Sequence, residues 1–232
     1  MTKQEHFIDN TNAKIHCIEF NRQENNIPLI IIPGATNSAE EIEEALYGKL
    51  LHHHIIVSLR GRGKSDSPKS GYTLDDHASD VLAVMRELNI NNCYLFGYSI
   101  GSTVGVRVAA TIQDKVKGLI MGDYAPYFPP FNENWAVMVR KHADRAISEI
   151  AIDGLVNEGE YTEAAGDFEQ ITCPVMLVKG GKEGSLFPSE AIPYMQKLVP
   201  DLRLEILEEN DHDIFSPRPD RLAAVIEDFL KN

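Results

Sequence analysis

The sequence predicts an α/β domain with a mostly parallel central sheet, helices on both faces and a short helical cap. Three observations carry this expectation. Short, continuously apolar runs alternate with longer amphipathic segments, the pattern of strands buried on both faces between covering helices. A glycine-bounded serine turn, Gly97-Tyr98-Ser99-Ile100-Gly101, joins one such run to one such segment. A single stretch, about 124–170, breaks the alternation.

Along the chain, Lys14 to Phe20 alternates weakly and is expected as an early edge strand. Pro28 to Ile32 is a buried strand closed by Pro33-Gly34. Ser38 and Glu41 have capping-box spacing, and the helix they start is expected to reach about Leu51. His54 to Leu59 is the next strand, followed by the glycine-rich loop Arg60 to Pro68. Thr73, with Asp76 at the box position, opens a helix whose apolar stripe is Val81, Leu82, Met85 and Leu88. Cys93 to Gly97 is a strand and Ile100 to Ile112 a helix of small and apolar residues. Val116 to Met121, Pro174 to Lys179 and Leu202 to Leu207 are further strands, and Arg221 to Leu230 is a closing amphipathic helix. The insertion opens on Tyr124, Tyr127, Phe128, Phe131 and Trp135, rings that either form an apolar pocket or glue a cap to the sheet. An insertion at the carboxyl end of a strand is where a cap over a ligand sits.

The 232 residues fit one α/β domain. The formal charge of −13 opposes phosphate backbones and anionic lipid, and the 22 basic residues are scattered among 35 acids. Neither nucleic acid nor membrane is therefore expected as a partner; a small-molecule substrate is. The opening Met1-Thr2-Lys3-Gln4-Glu5-His6 lacks the apolar core of a signal peptide, and no apolar run reaches the ~18 residues of a membrane span. Cys17, Cys93 and Cys173 are odd in number and dispersed in apolar surroundings, as reduced core residues of a cytoplasmic protein are.

The serine turn has the context that gives such a pattern its chemistry: a strand before it and a helix after it hold the hydroxyl out on a strained bend. Gly97 and Gly101 suit that bend because larger side chains collide with the neighbouring strand or helix. A serine attacks only when a base takes its proton, and His212, in a short polar loop between the last strand and last helix, is the favoured base. His52-His53-His54 has no evident carboxylate partner for a metal site, and His77 and His142 read as packing or surface residues. Gly63-Lys64-Ser65 resembles the end of a phosphate loop, but Ser58 stands where that motif needs glycine, and no dinucleotide fingerprint is present. No cofactor or metal is expected.

On these residues the chain resembles the α/β-hydrolase superfamily over nearly its whole length. The resemblance rests on Pro33-Gly34-Ala35, the loop Arg60 to Asp66, the serine turn, and Asp211-His212 followed by Pro219, Ala224 and Phe229. It implies a Ser99–His212–acid triad and an oxyanion hole formed by the backbone N–H groups of Ala35 and Ile100. The acid lies between Ser99 and His212 in the chain. Most of the superfamily has aspartate after the strand at 174–179, where this chain has Glu183 or glycine. Some small esterases carry it one strand earlier in a segment similar to Asp123-Tyr124-Ala125-Pro126, so Asp123 is favoured over Glu183. Pro33 stands where the family usually has histidine, and Ser58 where relatives often have aspartate. The activity implied is carboxylesterase-like hydrolysis through an acyl-enzyme. Alternatives are a triad-dependent lyase or C–C hydrolase, and a non-catalytic ligand-binding protein on the same fold.

Overall fold

The computed structural model describes residues 2–23, 26–142 and 145–231. The chain begins with a hairpin, β1 (Lys3–Asn10) and β2 (Ala13–Phe20), turned through Thr11 at a left-handed φ of 51°. β3 (Leu29–Ile32) leads to α1 (Ala39–Leu46), β4 (His54–Val57) to α2 (Leu74–Glu87), and β5 (Cys93–Tyr98) to α3 (Ile100–Ile112). β6 (Val116–Gly122) precedes the insertion, which holds β7 (Tyr127–Phe128), α4 (Glu133–Arg140), α5 (Glu149–Glu158), β8 (Thr162–Glu163) and the short α6 (Ala165–Phe168). β9 (Val175–Gly180), α7 (Ile192–Leu198), β10 (Arg203–Leu207) and α8 (Pro219–Phe229) complete the chain.

Eight strands form one sheet in the order β1-β2-β4-β3-β5-β6-β9-β10. The six strands from β4 to β10 are parallel, while β2 pairs antiparallel with both β1 and β4. β2 is thus not the edge strand that its weak alternation suggests. β1 covers it, and the polar, largely exposed run of β1 hides the strand from a hydropathy reading.

The pleat of β3 shows how the core is divided. Ile30 and Ile32 pack with Val81 and Val84 of α2 and Val104 and Val108 of α3, whereas Leu29 and Ile31 face Ile42 of α1 and Leu222, Ile226 and Phe229 of α8. Both faces are covered, so the central strands are apolar without alternation.

The helix starts follow their capping residues. Ser38 and Glu41 close a reciprocal capping box on α1, and Thr73 and Asp76 do so on α2, each such cap being worth about 1 kcal/mol. α1 stops at Leu46 rather than near Leu51, because Tyr47 leaves the helical region and Gly48 turns left-handed at φ 71°.

The loop after β4 is fixed by a buried ion pair. Arg60 donates Nη2 to Asp80 Oδ1 at 2.7 Å and Nε to Oδ2 at 2.9 Å, and Asn10 Nδ2 adds a third donor at 2.9 Å. Removing one partner of such a pair costs about 3–5 kcal/mol. The insertion docks on this loop: Glu158 accepts from the Gly71 and Tyr72 N–H groups, and Tyr72 packs where Gly154 has no side chain. Among the described residues no helix is long and apolar enough to cross a membrane.

Candidate active site

Ser99 occupies the bend between β5 and α3 with φ 55° and ψ −130°, a conformation that costs a non-glycine residue about 1–3 kcal/mol. The surroundings enforce it. A Cβ added at Gly97 lands 2.1 Å from the Gly101 carbonyl oxygen, and one at Gly101 lands 2.2 Å from that of Ile32. Helix and strand therefore approach at a distance only glycine permits. The Ser99 N–H donates to the Gly122 carbonyl at 2.9 Å, and Ser102 braces the bend by donating to the Gly97 carbonyl at 2.8 Å.

This bend puts Ser99 Oγ 3.1 Å from His212 Nε2. His212 Nδ1 lies 2.9 Å from Asp123 Oδ2, which requires the Nδ1–H tautomer and leaves Nε2 free to accept from the serine. Asp123, at the carboxyl end of β6, is fully buried and itself sits at a left-handed φ of 49°. Its carboxylate also accepts from Gly180 N–H at 2.9 Å, Leu186 N–H at 2.9 Å and the Ser185 hydroxyl at 2.6 Å. These donors meet the desolvation cost of the buried charge. Glu183 lies exposed on the same loop and takes no part in this chain of hydrogen bonds.

Tyr98 sets the imidazole in place. Its ring stacks on His212 with centroids 5.1 Å apart, its edge meets Phe215 at 5.0 Å, and its hydroxyl donates to the His212 carbonyl at 3.0 Å. Burial pushes the phenol upward in pKa, so the hydroxyl stays a donor. Sequence reasoning assigned no role to Tyr98, Ser102 or Ser185. The first two lie within or next to the serine turn and the third follows β9, but none carries a pattern of its own.

Ala35 follows β3 and Ile100 opens α3. Among the described residues neither backbone N–H donates a hydrogen bond, which leaves both as possible donors to a substrate oxygen. Gly34 brings this loop against Ser99: a Cβ there meets Ser99 Cβ at 3.1 Å. Ser58 accepts from the Ala39 N–H at 2.9 Å and from its place helps hold the start of α1.

Ser99 and His212 open into a cavity of about 1110 Å³ between α1, the insertion and the loop before α8. Trp135, Met138 and Val139 of α4 form part of its wall, with Leu186 and Phe215. Tyr124, Phe128 and Phe131 are instead buried beneath the insertion, and Tyr127 stacks on Tyr161. Most of the aromatic run thus glues the insertion down.

His142 of the insertion lines the same cavity as Ser99 and His212, whereas the histidine run and the cysteines stay apart from them. His52 contacts the Ile27 carbonyl, His53 pairs with Glu19, and His54 contacts the His52 carbonyl. Among the described residues no group of three or more His, Cys, Asp or Glu is arranged to hold a metal ion. Burial pushes the thiols of Cys17 and Cys93 up to about 12 and that of Cys173 to about 11, so none is poised as a thiolate.

The family described as the alpha/beta hydrolase fold matches residues 27–146, just over half of the chain. The chain belongs to the α/β-hydrolase fold family. The α/β-hydrolase described here is 24% identical over 251 residues to 2-(acetamidomethylene)succinate hydrolase of Mesorhizobium japonicum, covering 90% of each chain. Its fold resembles that of an esterase from Exiguobacterium antarcticum, with a TM-score of 0.82, 21% identity and coverage of 99% and 100% of the two chains. It also resembles N-formylmaleamic acid deformylase from Pseudomonas putida, with a TM-score of 0.75, 20% identity and coverage of 97% and 100%.

Proposed function

We propose that this α/β-hydrolase is a cofactor-free serine hydrolase that cleaves a small-molecule ester through an acyl-enzyme on Ser99. The observation that supports it is the unbroken hydrogen-bonded line from Ser99 Oγ through His212 to the buried Asp123. His212 Nε2 takes the hydroxyl proton as Oγ attacks the carbonyl, and the resulting imidazolium is stabilised by the Asp123 carboxylate. The tetrahedral oxyanion is received by the Ala35 and Ile100 N–H groups, each such donor being worth ~10²–10³ in rate. His212 then protonates the leaving alcohol, and water attacks the acyl-enzyme by the same route in reverse.

The same groups serve an amide if His212 protonates a leaving nitrogen. The names of two similar proteins favour that second reading, one being an acetamido compound hydrolase and the other a deformylase of N-formylmaleamic acid. The apolar wall formed by Trp135, Met138 and Val139 suits a hydrophobic acyl or leaving group.

A fluorophosphonate probe tests the nucleophile, and p-nitrophenyl butyrate beside its matched p-nitroanilide tests the bond. Labelling at Ser99 with faster ester turnover is the expected outcome. Folded protein that takes up no label overturns the serine hydrolase reading. Faster anilide cleavage replaces ester with amide.

A further inference from the structure

Arg62 is fully buried, and among the described residues it forms no ion pair. Its guanidinium donates Nε to the Ala35 carbonyl at 2.8 Å and Nη1 to the Arg60 carbonyl at 2.6 Å. Nη1 also lies 3.3 Å from His77 Nε2, while Nη2 is buried without a partner. Because a guanidinium only donates, His77 Nε2 must be the acceptor, so His77 is neutral with its proton on Nδ1. Burial, reinforced by the charges of Arg62 and Arg60, depresses the His77 pKa well below its usual value and agrees with a neutral ring. The neighbouring Asp80 is already occupied by Arg60.

A buried cation with no counter-ion is costly, and an apolar side chain of similar size is often the more stable choice. The backbone nevertheless drives Arg62 inward. Gly61 and Gly63, at φ 76° and 52°, flank it, and a Cβ at Gly61 lands 2.2 Å from that of Ala151. The insertion clamps both sides: Gly63 N–H donates to the Ala146 carbonyl and Ser148 N–H to the Gly61 carbonyl, each at 2.9 Å. Among the described residues, the loop outside its own to which the Arg62 side chain donates is the Ala35 loop, which touches Ser99 through Gly34.

The geometry points to Arg62 as a positioning residue for the oxyanion pocket: it holds Ala35 by its carbonyl, and its buried charge, which forms no ion pair among the described residues, favours the anion that forms when Ser99 attacks. This inference rests on the serine hydrolase reading above. Fixing the Ala35 carbonyl restrains the dihedrals that aim the Ala35 N–H, and a preorganised donor stabilises a transition state without reorganising during the reaction. The buried charge acts on the oxyanion more than on a neutral ester, so its effect belongs in kcat and not in KM.

The test compares wild type with Arg62→Met and Arg62→Lys. The readouts are kcat and KM on p-nitrophenyl butyrate, and affinity for an alkyl trifluoromethyl ketone, whose serine adduct carries an oxyanion. Val84→Ala, in the core under α2, serves as a control that lowers stability only. We expect Arg62→Met to lose roughly 10–100-fold in kcat, below the ~10²–10³ of a lost donor, with KM changed by less than about twofold. Ketone affinity should fall by the same factor as kcat, and Arg62→Lys should recover part of both. If Arg62→Met fails to fold, the Lys variant gives the same reading, because it keeps the charge but not the grip on Ala35. Unchanged kcat and ketone affinity, or losses no larger than those of Val84→Ala, overturn the inference alone. A wild type that neither cleaves the ester nor binds the ketone overturns the hydrolase reading and this inference with it.

Discussion

Ser185 donates its hydroxyl to Asp123 at 2.6 Å across 62 residues of sequence. The loop after β9 therefore contributes donors to a carboxylate that comes from β6, and not a carboxylate of its own. Gly180 at the end of β9 and Leu186 of that loop add two N–H groups, so the charge on Asp123 is held from three points before His212 reaches it. In the proposed triad the acid therefore follows β6, and the loop after β9 supports it with donors.

Asp123→Asn and Glu183→Gln should accordingly behave very differently. An asparagine cannot stabilise the imidazolium and its amide favours the wrong tautomer, so kcat should drop by about 10⁴-fold. Glu183 is exposed, and its replacement should leave kcat unchanged and stability within about 0.5 kcal/mol. Steady-state kinetics of the two purified variants checks this. Activity retained by the first and lost by the second would reverse the assignment of the acid.

Replacement of Ser99 separates the proposed catalysis from strain. Ser99→Ala should cost up to ~10⁶ in kcat, since the three groups act as a unit, while circular dichroism stays native. At φ 55° alanine inherits the strained conformation and glycine does not. Ser99→Gly should therefore be more stable than Ser99→Ala by about 1 kcal/mol in urea unfolding. Equal midpoints would mean that the bend stores no strain.

Tyr98 offers a graded test of how His212 is held. Tyr98→Phe removes the bond to the His212 carbonyl, which still accepts from the Ile214 N–H at 2.9 Å, so about 1 kcal/mol of stability and a few-fold of kcat should be lost. Tyr98→Ala also removes the ring stacked on the imidazole and should cost about 3–5 kcal/mol. Comparison of denaturant midpoints and kcat checks both, and a Phe variant as impaired as the Ala variant would place the whole effect in the hydroxyl.

The parts of this architecture that were legible in the sequence are those written in local patterns. Apolar runs marked β3, β5, β6 and β9, the capping pairs Ser38–Glu41 and Thr73–Asp76 marked two helix starts, and the flanking glycines marked the bend at Ser99. β1 was hidden because its stability comes from pairing with β2 and not from its own hydropathy. α7 is short, with Met195 as its buried residue, and leaves almost no apolar stripe. Arg62 looked like one basic residue in a glycine-rich loop, since its burial depends on the docked insertion and on the Ala35 loop, both remote in sequence. The aromatic run from Tyr124 was ambiguous for a related reason: composition records rings, and only packing separates Trp135 in the cavity wall from Phe128 and Phe131 beneath it.

Buried neutral histidines predict how stability depends on pH. Burial lowers the pKa of His54 to about 4, where its ring stacks on Phe20 and its Nδ1 contacts the His52 carbonyl. His77 is likewise held well below its usual value, by burial and then by Arg62 and Arg60, and His16 is lowered by burial against the opposing pull of Glu40 and Glu5. In the unfolded chain each titrates near 6.5. Above that pH both states are neutral at these sites and nothing is lost. As pH falls below about 6.5 the unfolded chain binds protons that the folded one refuses, so folding weakens by up to ~1.4 kcal/mol per pH unit for each such group. For His54 the loss is complete once pH reaches the folded value of about 4, a total of roughly 3 kcal/mol. Glu5 and Glu19, whose pKa values are lowered in the folded state, lose their contribution in the same direction at still lower pH. Urea midpoints measured at about pH 7.5, 6 and 5 should fall steadily, and His54→Phe should flatten the slope because that ring cannot take a proton. A midpoint that holds constant or rises toward pH 5 would mean that these imidazoles are charged in the folded protein.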